Sequence, residues 1–138
     1  MFKAQNKVRM HDTDMAGILY FPRQFRFIHD AWEDMLEAEG ISFEEMVHHK
    51  KFLFVVVHAE ADYFQPLKVG DELEVQIQVV RIGNTSFTMG YEIFKKGGDL
   101  VGTGKTVHVC LDSKNRSKIP IPDLLMGILK KYYHQSRP

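Results

Sequence analysis

PRQFRFIHDAWEDMLEAE, residues 22–39, is the longest amphipathic segment of the chain and predicts a helix. Its apolar side chains recur at helical spacing, at Phe25, Ile28, Trp32, Met35 and Leu36. Pro22 suits a first helical position, because its missing N–H would have no partner there. Gly40 is a typical residue just beyond a helix end. A helix of this length would extend about 27 Å, enough for a central element of a small fold.

Outside this helix the chain shows patterns typical of strands. The strand-like segments are residues 3–10, 52–64, 73–80, 86–95 and 99–111. Ser42 and Glu45 have the spacing of a capping box for a short helix, and residues 123–133 predict a last amphipathic helix. Because short connections favour antiparallel neighbours, we expect successive strands after residue 52 to pair with each other.

This order of elements predicts an α+β fold, in which a curved antiparallel sheet of about five strands wraps around the central helix. The helix covers one face of such a sheet. The other face and the sheet edge would need a partner, which favours a dimer.

Length, charge and cysteine content narrow the possible functions. The chain has 138 residues, which indicates one domain, and 18 basic residues balance 18 acidic ones. This balance argues against a dedicated nucleic-acid binder and against a surface for anionic membranes. The single cysteine, Cys110, excludes an intrachain disulfide, and no apolar run could span a bilayer. We therefore expect a cytoplasmic protein.

The segment HDTDMAGILYFP, residues 11–22, carries the most informative polar pattern. Asp12 and Asp14 lie shortly before the start of the predicted helix. Free N–H groups at a helix start can stabilise an oxyanion, and a nearby carboxylate can attack a carbonyl or activate water. The alternative is that either aspartate only accepts hydrogen bonds from loop amides. The residues alone leave both interpretations open.

The run DTDMAGILYFP, residues 12–22, resembles the signature of hot-dog-fold acyl-CoA thioesterases of the 4-hydroxybenzoyl-CoA thioesterase type. That signature reads roughly D-x-D-x-x-G-[IV]-[IV]-[FYW]. Residues 58–67 resemble the family's long second strand, and residues 69–73 resemble the turn that follows it. Residues 105–122 look like its last strand and C-terminal segment, so the resemblance covers nearly the whole chain.

The resemblance implies a single hot-dog domain over residues 1–138 that hydrolyses an acyl-CoA thioester without a metal or another cofactor. It implies that Asp14 is the nucleophile or general base and that the Phe21 backbone N–H stabilises the oxyanion. Gly17 would allow a close backbone approach. Tyr20 and Phe21 look more like members that act on aromatic acyl groups, such as 4-hydroxybenzoyl-CoA or 1,4-dihydroxy-2-naphthoyl-CoA. The alternatives are a short- or medium-chain fatty acyl-CoA thioesterase, a hydratase or dehydratase, and a non-catalytic acyl-CoA-binding module.

The same resemblance suggests substrate contacts. Tyr20, His29 and His58 are predicted to border the acyl group, which would lie between the helix of one subunit and the sheet of another. A basic rim for the CoA phosphates is predicted at Lys105, Lys114, Arg116 and Lys118. We therefore expect a homo-oligomer, a dimer or a tetramer.

Two other side chains are alternative catalytic groups. Glu33 is a helix carboxylate, and another branch of hot-dog thioesterases uses a glutamate in its helix. Cys110 would need a low pKa to act as a nucleophile. No His, Cys and Asp spacing typical of zinc is present in the sequence.

Overall fold

The structure, a computed structural model, describes residues 1–133, which contain five strands and two α-helices. In chain order they are β1 (Phe2–Lys7), α1 (Gln24–Ala38), β2 (Phe52–Tyr63), β3 (Glu72–Ile82), β4 (Ser86–Lys95), β5 (Leu100–Asp112) and α2 (Asp123–Lys131). The five strands form one antiparallel sheet in the order β1-β3-β4-β5-β2. The predicted α+β arrangement is confirmed.

The expected pairing of β2 with β3 is wrong. β2 pairs instead with β5, at the opposite side of the sheet from β3. The connection of eight residues, 64–71, can reach about 26 Å, whereas three strand spacings need only about 14 Å. The connection also has a partner of its own, because Leu67 O accepts a hydrogen bond from Leu19 N at 2.8 Å. A short connection therefore spans the sheet instead of forming a hairpin.

Several predicted element ends shift in the structure. β1 ends at Lys7, before residue 10, because residues 10–12 form a 3-10 turn. The long helix begins with a 3-10 turn at Phe21–Arg23 and continues as α1. Ser42 Oγ accepts a hydrogen bond from Glu45 N at 3.1 Å, as the capping pattern predicts, and a π-helical turn follows.

The core lies between α1 and one face of the sheet. The helix buries Phe27, Ile28, Trp32 and Met35 there. Gly104 of β5 allows this close packing, because a Cβ atom at that position would collide with Cδ1 of Ile28. None of the helices within residues 1–133 is long and apolar enough to cross a membrane.

The long strand β2 forms one edge of the sheet, and the shorter β1 forms the other. The central valines of β2, Val55, Val56 and Val57, are exposed, and residues 55–60 lie open on this edge. A register shift between Val56 and His58 interrupts the pairing with β5. An apolar, unpaired edge of this length is a template for pairing with another chain.

Candidate active site

The loop that contains Asp14 is a tight turn closed by backbone hydrogen bonds. Asp14 N donates to Ile18 O at 3.1 Å, and Gly17 N donates to Asp14 O at 3.0 Å. Gly17 has φ +79°, a left-handed conformation that glycine adopts without strain. A Cβ atom there would meet no other atom within 4 Å. Within this chain, Gly17 is therefore required by the backbone conformation and not by a crowded contact.

Asp14 is exposed, and one of its carboxylate oxygens is engaged within the loop. Its Oδ1 accepts a hydrogen bond from Ala16 N at 2.9 Å, which is the loop-amide contact that the sequence left open. A carboxylate has about four acceptor positions, so this contact leaves Oδ2 accessible to a ligand. The turn orients the carboxylate without burying it.

Asp12, two residues earlier, has a different environment. It is fully buried, and Arg26 donates from Nε to its Oδ1 at 2.7 Å and from Nη2 to its Oδ2. Arg9 N donates to Oδ2 at 2.8 Å. Burial opposes ionisation, but the hydrogen bonds from Arg26 and Arg9, together with the Arg26 charge, hold the pKa of Asp12 below its usual value. Asp12 therefore anchors the loop and is not available to a substrate.

The backbone N–H of Phe21 lies at the start of the helical segment. Pro22 has no N–H, and Arg23 N donates to Tyr20 O at 2.8 Å. Within residues 1–133, the Phe21 N–H has no hydrogen-bond acceptor. The hydroxyl of Tyr63 donates to Phe21 O at 2.8 Å and fixes this peptide against β2. A fixed N–H at the positive end of a helix is suited to hold a carbonyl oxygen that gains negative charge.

Apolar side chains surround this N–H but remain open to solvent. Phe21 is 63% exposed, Tyr20 48% and Phe64 55%. Phe21, Tyr63 and Phe64 line a cavity of about 280 Å³. Clustered exposed apolar side chains are typical of a binding surface that a ligand or a partner covers.

A second cavity, of about 220 Å³, lies beneath the first turns of α1. Its walls are mostly apolar, and Phe25, Ile28, Val56 and Ala59 contribute to them. His29 also borders this cavity, as the resemblance implies for the acyl pocket. Phe25 follows Phe21 by four residues, so the cavity begins about 6 Å along the helix from the unpaired N–H.

The floor of this cavity is polar, which the sequence patterns did not predict. Tyr91 Oη and Thr106 Oγ1 are 2.8 Å apart, and Thr106 Oγ1 is 2.8 Å from His108 Nε2. Burial, with a smaller effect of His29, lowers the pKa of His108 to about 4. Thr106 and His108 are polar residues on the helix-facing side of β5, and that alternation is the signal that could have revealed them.

The structure does not bring His58 to the same cavity. Neighbouring side chains of a strand point to opposite faces, and Ala59 lines the cavity. His58 therefore faces the other side of the sheet, where its Nε2 lies 3.3 Å from Glu60 Oε1. Lys105 pairs with Glu60 in the register of β5 and β2 and is also exposed.

The basic turn after β5 is distant from Asp14 within one chain. Lys114, Arg116 and Lys118 are exposed there, near the Phe52 end of β2. The Phe21 peptide contacts the Tyr63 end of β2, about 36 Å away along the strand. One chain therefore does not place the basic turn beside its own Asp14 loop.

The alternative catalytic groups are less suitable. Cys110 is fully buried, and burial raises the pKa of its thiol to about 11, which disfavours the thiolate. Glu33 lines a separate hollow with Phe43 and Phe54, toward the C-terminal half of α1. Across residues 1–133, no three His, Cys, Asp or Glu side chains cluster as metal ligands.

Comparisons with known proteins agree with this geometry. A family model described as the thioesterase-like superfamily matches residues 8–129. This chain belongs to the thioesterase-like superfamily. The match includes the Asp14 loop, α1 and all of β2 to β5.

Similar thioesterases share the length of this chain. The 1,4-dihydroxy-2-naphthoyl-CoA hydrolase of Thermosynechococcus vestitus is 35% identical over 91% of this chain and 86% of that protein. The enzyme of the same name from Synechococcus elongatus is 32% identical over 94% of this chain and 95% of its own length. The crystal structure of Slr0204, a 1,4-dihydroxy-2-naphthoyl-CoA thioesterase from Synechocystis, matches with a TM-score of 0.86 at 30% identity. It covers 94% of this chain and 95% of that chain. The expected hot-dog fold and the enzyme class, a thioester hydrolase, are confirmed.

Proposed function

We propose that this protein hydrolyses an aromatic acyl-CoA, of the 1,4-dihydroxy-2-naphthoyl-CoA class, to the free acid and CoA. The observation that carries the proposal is the pairing, in one short segment, of an accessible Asp14 carboxylate with the unpaired Phe21 N–H. Thioester hydrolysis needs these two elements, a base or nucleophile and an oxyanion donor. The similarity to enzymes named for this substrate supports the choice of acyl group.

The chemistry follows from these two groups. The thioester carbonyl oxygen accepts a hydrogen bond from Phe21 N–H, which stabilises negative charge as the carbonyl carbon becomes tetrahedral. Asp14 either removes a proton from the attacking water or attacks the carbon itself. The C–S bond then breaks, and the CoA sulfur takes up the proton that Asp14 removed from water, or a proton from solvent if Asp14 attacks directly. If Asp14 attacks directly, water hydrolyses the resulting acyl-aspartyl anhydride and returns the free carboxylate.

Replacing Asp14 with Asn tests the catalytic role. The amide cannot act as a base or carboxylate nucleophile, so we expect kcat to fall by about 10²- to 10⁴-fold. Release of free CoA thiol is measured across aromatic and fatty acyl-CoAs. Asp99→Asn is the matched control, because Asp99 is an exposed aspartate in the hairpin turn between β4 and β5 and lines neither of the two cavities beside α1. Equal activity of Asp14→Asn and wild type would contradict the proposal, and a preference for fatty acyl-CoAs would overturn the aromatic substrate.

The proposed functional unit is a homodimer that pairs the β2 edges, alone or within a tetramer. Two identical edge strands related by a twofold axis run antiparallel, so the Phe52 end of one strand lies beside the Tyr63 end of the other. This arrangement carries the basic turn of each subunit to the catalytic loop of its neighbour. Lys114, Arg116 and Lys118 then supply positive charge for the CoA phosphates across the interface.

Subunit complementation tests this shared site. Asp14→Asn alone lacks the carboxylate, and a Lys114→Ala/Arg116→Ala variant alone has a raised KM. A mixed dimer has one intact site if the two elements come from different subunits. We therefore expect mixing and re-association to restore activity at low substrate concentration. If the mixture shows only the summed activities of the two variants, the site lies within a single subunit.

A cytoplasmic location belongs to the same proposal. Free CoA is released in the reaction. The single cysteine of the chain, Cys110, is a buried free thiol, which is compatible with a reducing compartment. Fractionation of cells that produce the protein, with a thioesterase assay on each fraction, tests this location.

A further inference from the structure

Two polar atoms beside the cavity beneath α1 have no hydrogen-bond partner. They are Trp32 Nε1 and His108 Nδ1, and no atom of residues 1–133 pairs with either. Both residues are only 2% exposed, and both line this cavity. Buried polar side-chain atoms are mostly hydrogen-bonded in folded proteins, so two unpaired atoms beside one cavity require an explanation.

The surrounding protein holds both rings without supplying a partner. His108 stacks on Phe87, with ring centroids 4.9 Å apart and 5° between the planes. Its other nitrogen, Nε2, is already engaged with Thr106. Trp32 packs edge-on against Phe54, with centroids 5.3 Å apart. Within residues 1–133 both hydrogen bonds are therefore left to another molecule, either a ligand in the cavity or a water.

The chemistry of the two atoms defines their complement. An indole N–H can only donate, so Trp32 needs an acceptor. Burial lowers the pKa of His108 to about 4, so the imidazole is neutral near pH 7. When Nε2–H donates to Thr106, Nδ1 is an acceptor and needs a donor. A hydroxyl group provides both, because its oxygen can accept from the indole while its proton is donated to the imidazole.

The cavity also fits an aromatic ring that carries such a hydroxyl. Its volume of about 220 Å³ exceeds the roughly 150 Å³ of an apolar cavity that admits benzene. Phe25, Ile28 and Val56 offer the apolar contacts that a ring needs. The cavity also begins one helical turn from Phe21, on the side where an acyl group would extend from a carbonyl held by that N–H.

We propose that Trp32 Nε1 and His108 Nδ1 recognise a hydroxyl at the ring position meta to the thioester carbonyl of the aromatic acyl group, and that Thr106 and Tyr91 hold His108 for this contact. This assignment rests on the proposed function for the position of the thioester. It makes Trp32 and His108 specificity-determining residues, which select hydroxylated over unsubstituted rings. Thr106 and Tyr91 are positioning residues.

Two free acids that differ only in the distal hydroxyl test the proposal directly. They are 1,4-dihydroxy-2-naphthoate, kept under anaerobic conditions, and 1-hydroxy-2-naphthoate. Neither contains a thioester, so binding is measured without turnover. Trp32 is the one tryptophan of the chain, and its indole N–H therefore gives a single, assigned NMR signal. We expect the dihydroxy acid to shift this signal downfield and to bind at least tenfold more tightly than the monohydroxy acid.

Variants assign the selectivity to the two atoms. Trp32→Phe removes the indole donor and His108→Phe removes the imidazole, and each should reduce the tenfold preference to less than threefold. Two separate variants keep the test decisive if one of them does not fold. Thr88→Val is the matched control, because Thr88 is a buried threonine on the opposite face of β4 and outside the cavity. Thr88→Val should keep the wild-type preference.

Three results would overturn the proposal. They are equal affinity of wild type for the two acids, an indole signal that neither acid moves, and an unchanged preference in both cavity variants. The first two are also expected if a fixed water satisfies both atoms. The outcome is separable from the proposed function. Hydrolysis without hydroxyl preference removes only this inference, whereas hydroxyl-selective binding of the acids without any hydrolysis removes only the thioesterase activity.

Discussion

Two buried polar clusters lie against α1, and they differ in how completely the chain satisfies them. In the first, Asp12 accepts hydrogen bonds from Arg26 and Arg9, and Arg26 also reaches Asp30 at 3.0 Å. In the second, a series of hydrogen bonds connects Tyr91, Thr106 and His108, and it ends at His108 Nδ1, which has no partner. The first cluster is complete without a ligand and holds the Asp14 loop. The second leaves His108 Nδ1 without a partner, and this difference is the basis of the proposed binding role.

The largest loss of stability should come from replacing Asp12. Asp12→Ala leaves the Arg26 charge without its main partner, and we expect a loss of about 3 to 4 kcal/mol in the free energy of unfolding. The figure is at the lower end for a broken buried pair, because the Arg26 side chain keeps 23% exposure. Urea unfolding measures it. Asp14→Ala is the matched control from the same loop and should change stability by less than about 0.5 kcal/mol. Similar losses in the two variants would contradict the assignment of Asp12 to structure and Asp14 to chemistry.

The sequence could not separate these two aspartates by physical reasoning alone. They are two residues apart, have the same side chain and precede the same helix. The difference is burial, which depends on Arg26 folding back over the loop from the following helix. The resemblance to a family selected Asp14, and the structure adds a physical reason why Asp12 cannot do the same chemistry.

Local patterns predicted the elements well, and long-range pairing less well. The apolar spacing of residues 22–39 and the alternation in β3 indicate which face of each element is buried. This information is local and can be obtained from one sequence. The partner of β2 depends on how the connection 64–71 crosses the sheet, and connection length does not determine that path. The basic turn illustrates the consequence. Lys105 and Lys114 are nine residues apart, but β5 extends from Lys105 to Asp112, about 23 Å for seven residues, before the turn that contains Lys114.

The second cluster should make the stability of the protein depend on pH, because His108 in it has a lowered pKa. Its pKa is about 4 in the folded protein and about 6.5 when unfolded, so the unfolded chain binds more protons between these values. The contribution of His108 to the free energy of unfolding is therefore present in full above pH 6.5. It is lost as the pH falls toward 4, by about 3 kcal/mol at most. The measurement is unfolding free energy against pH for wild type and His108→Phe. The variant should lack this part of the slope.

The first cluster serves as a control for this pH dependence. The pKa of Asp12 lies below its usual value of 3.8, so its contribution is lost only at lower pH than that of His108. Asp12→Ala should therefore keep the slope between pH 6.5 and 4. If His108→Phe and wild type show the same slope in that window, His108 is not a neutral, buried group.

The smallest effects should come from the hydroxyl groups that connect the second cluster. Thr106→Val leaves both His108 Nε2 and Tyr91 Oη without their partner, so we expect a loss of about 2 kcal/mol in the ligand-free protein. Tyr91→Phe removes the terminal hydroxyl and one hydrogen bond, and should cost about 1 kcal/mol. Thermal or urea unfolding of the two single variants and the double variant gives the coupling between them. Additive losses would mean that the three groups do not act as one chain, whereas a double variant no less stable than Thr106→Val alone shows that Tyr91 acts through Thr106.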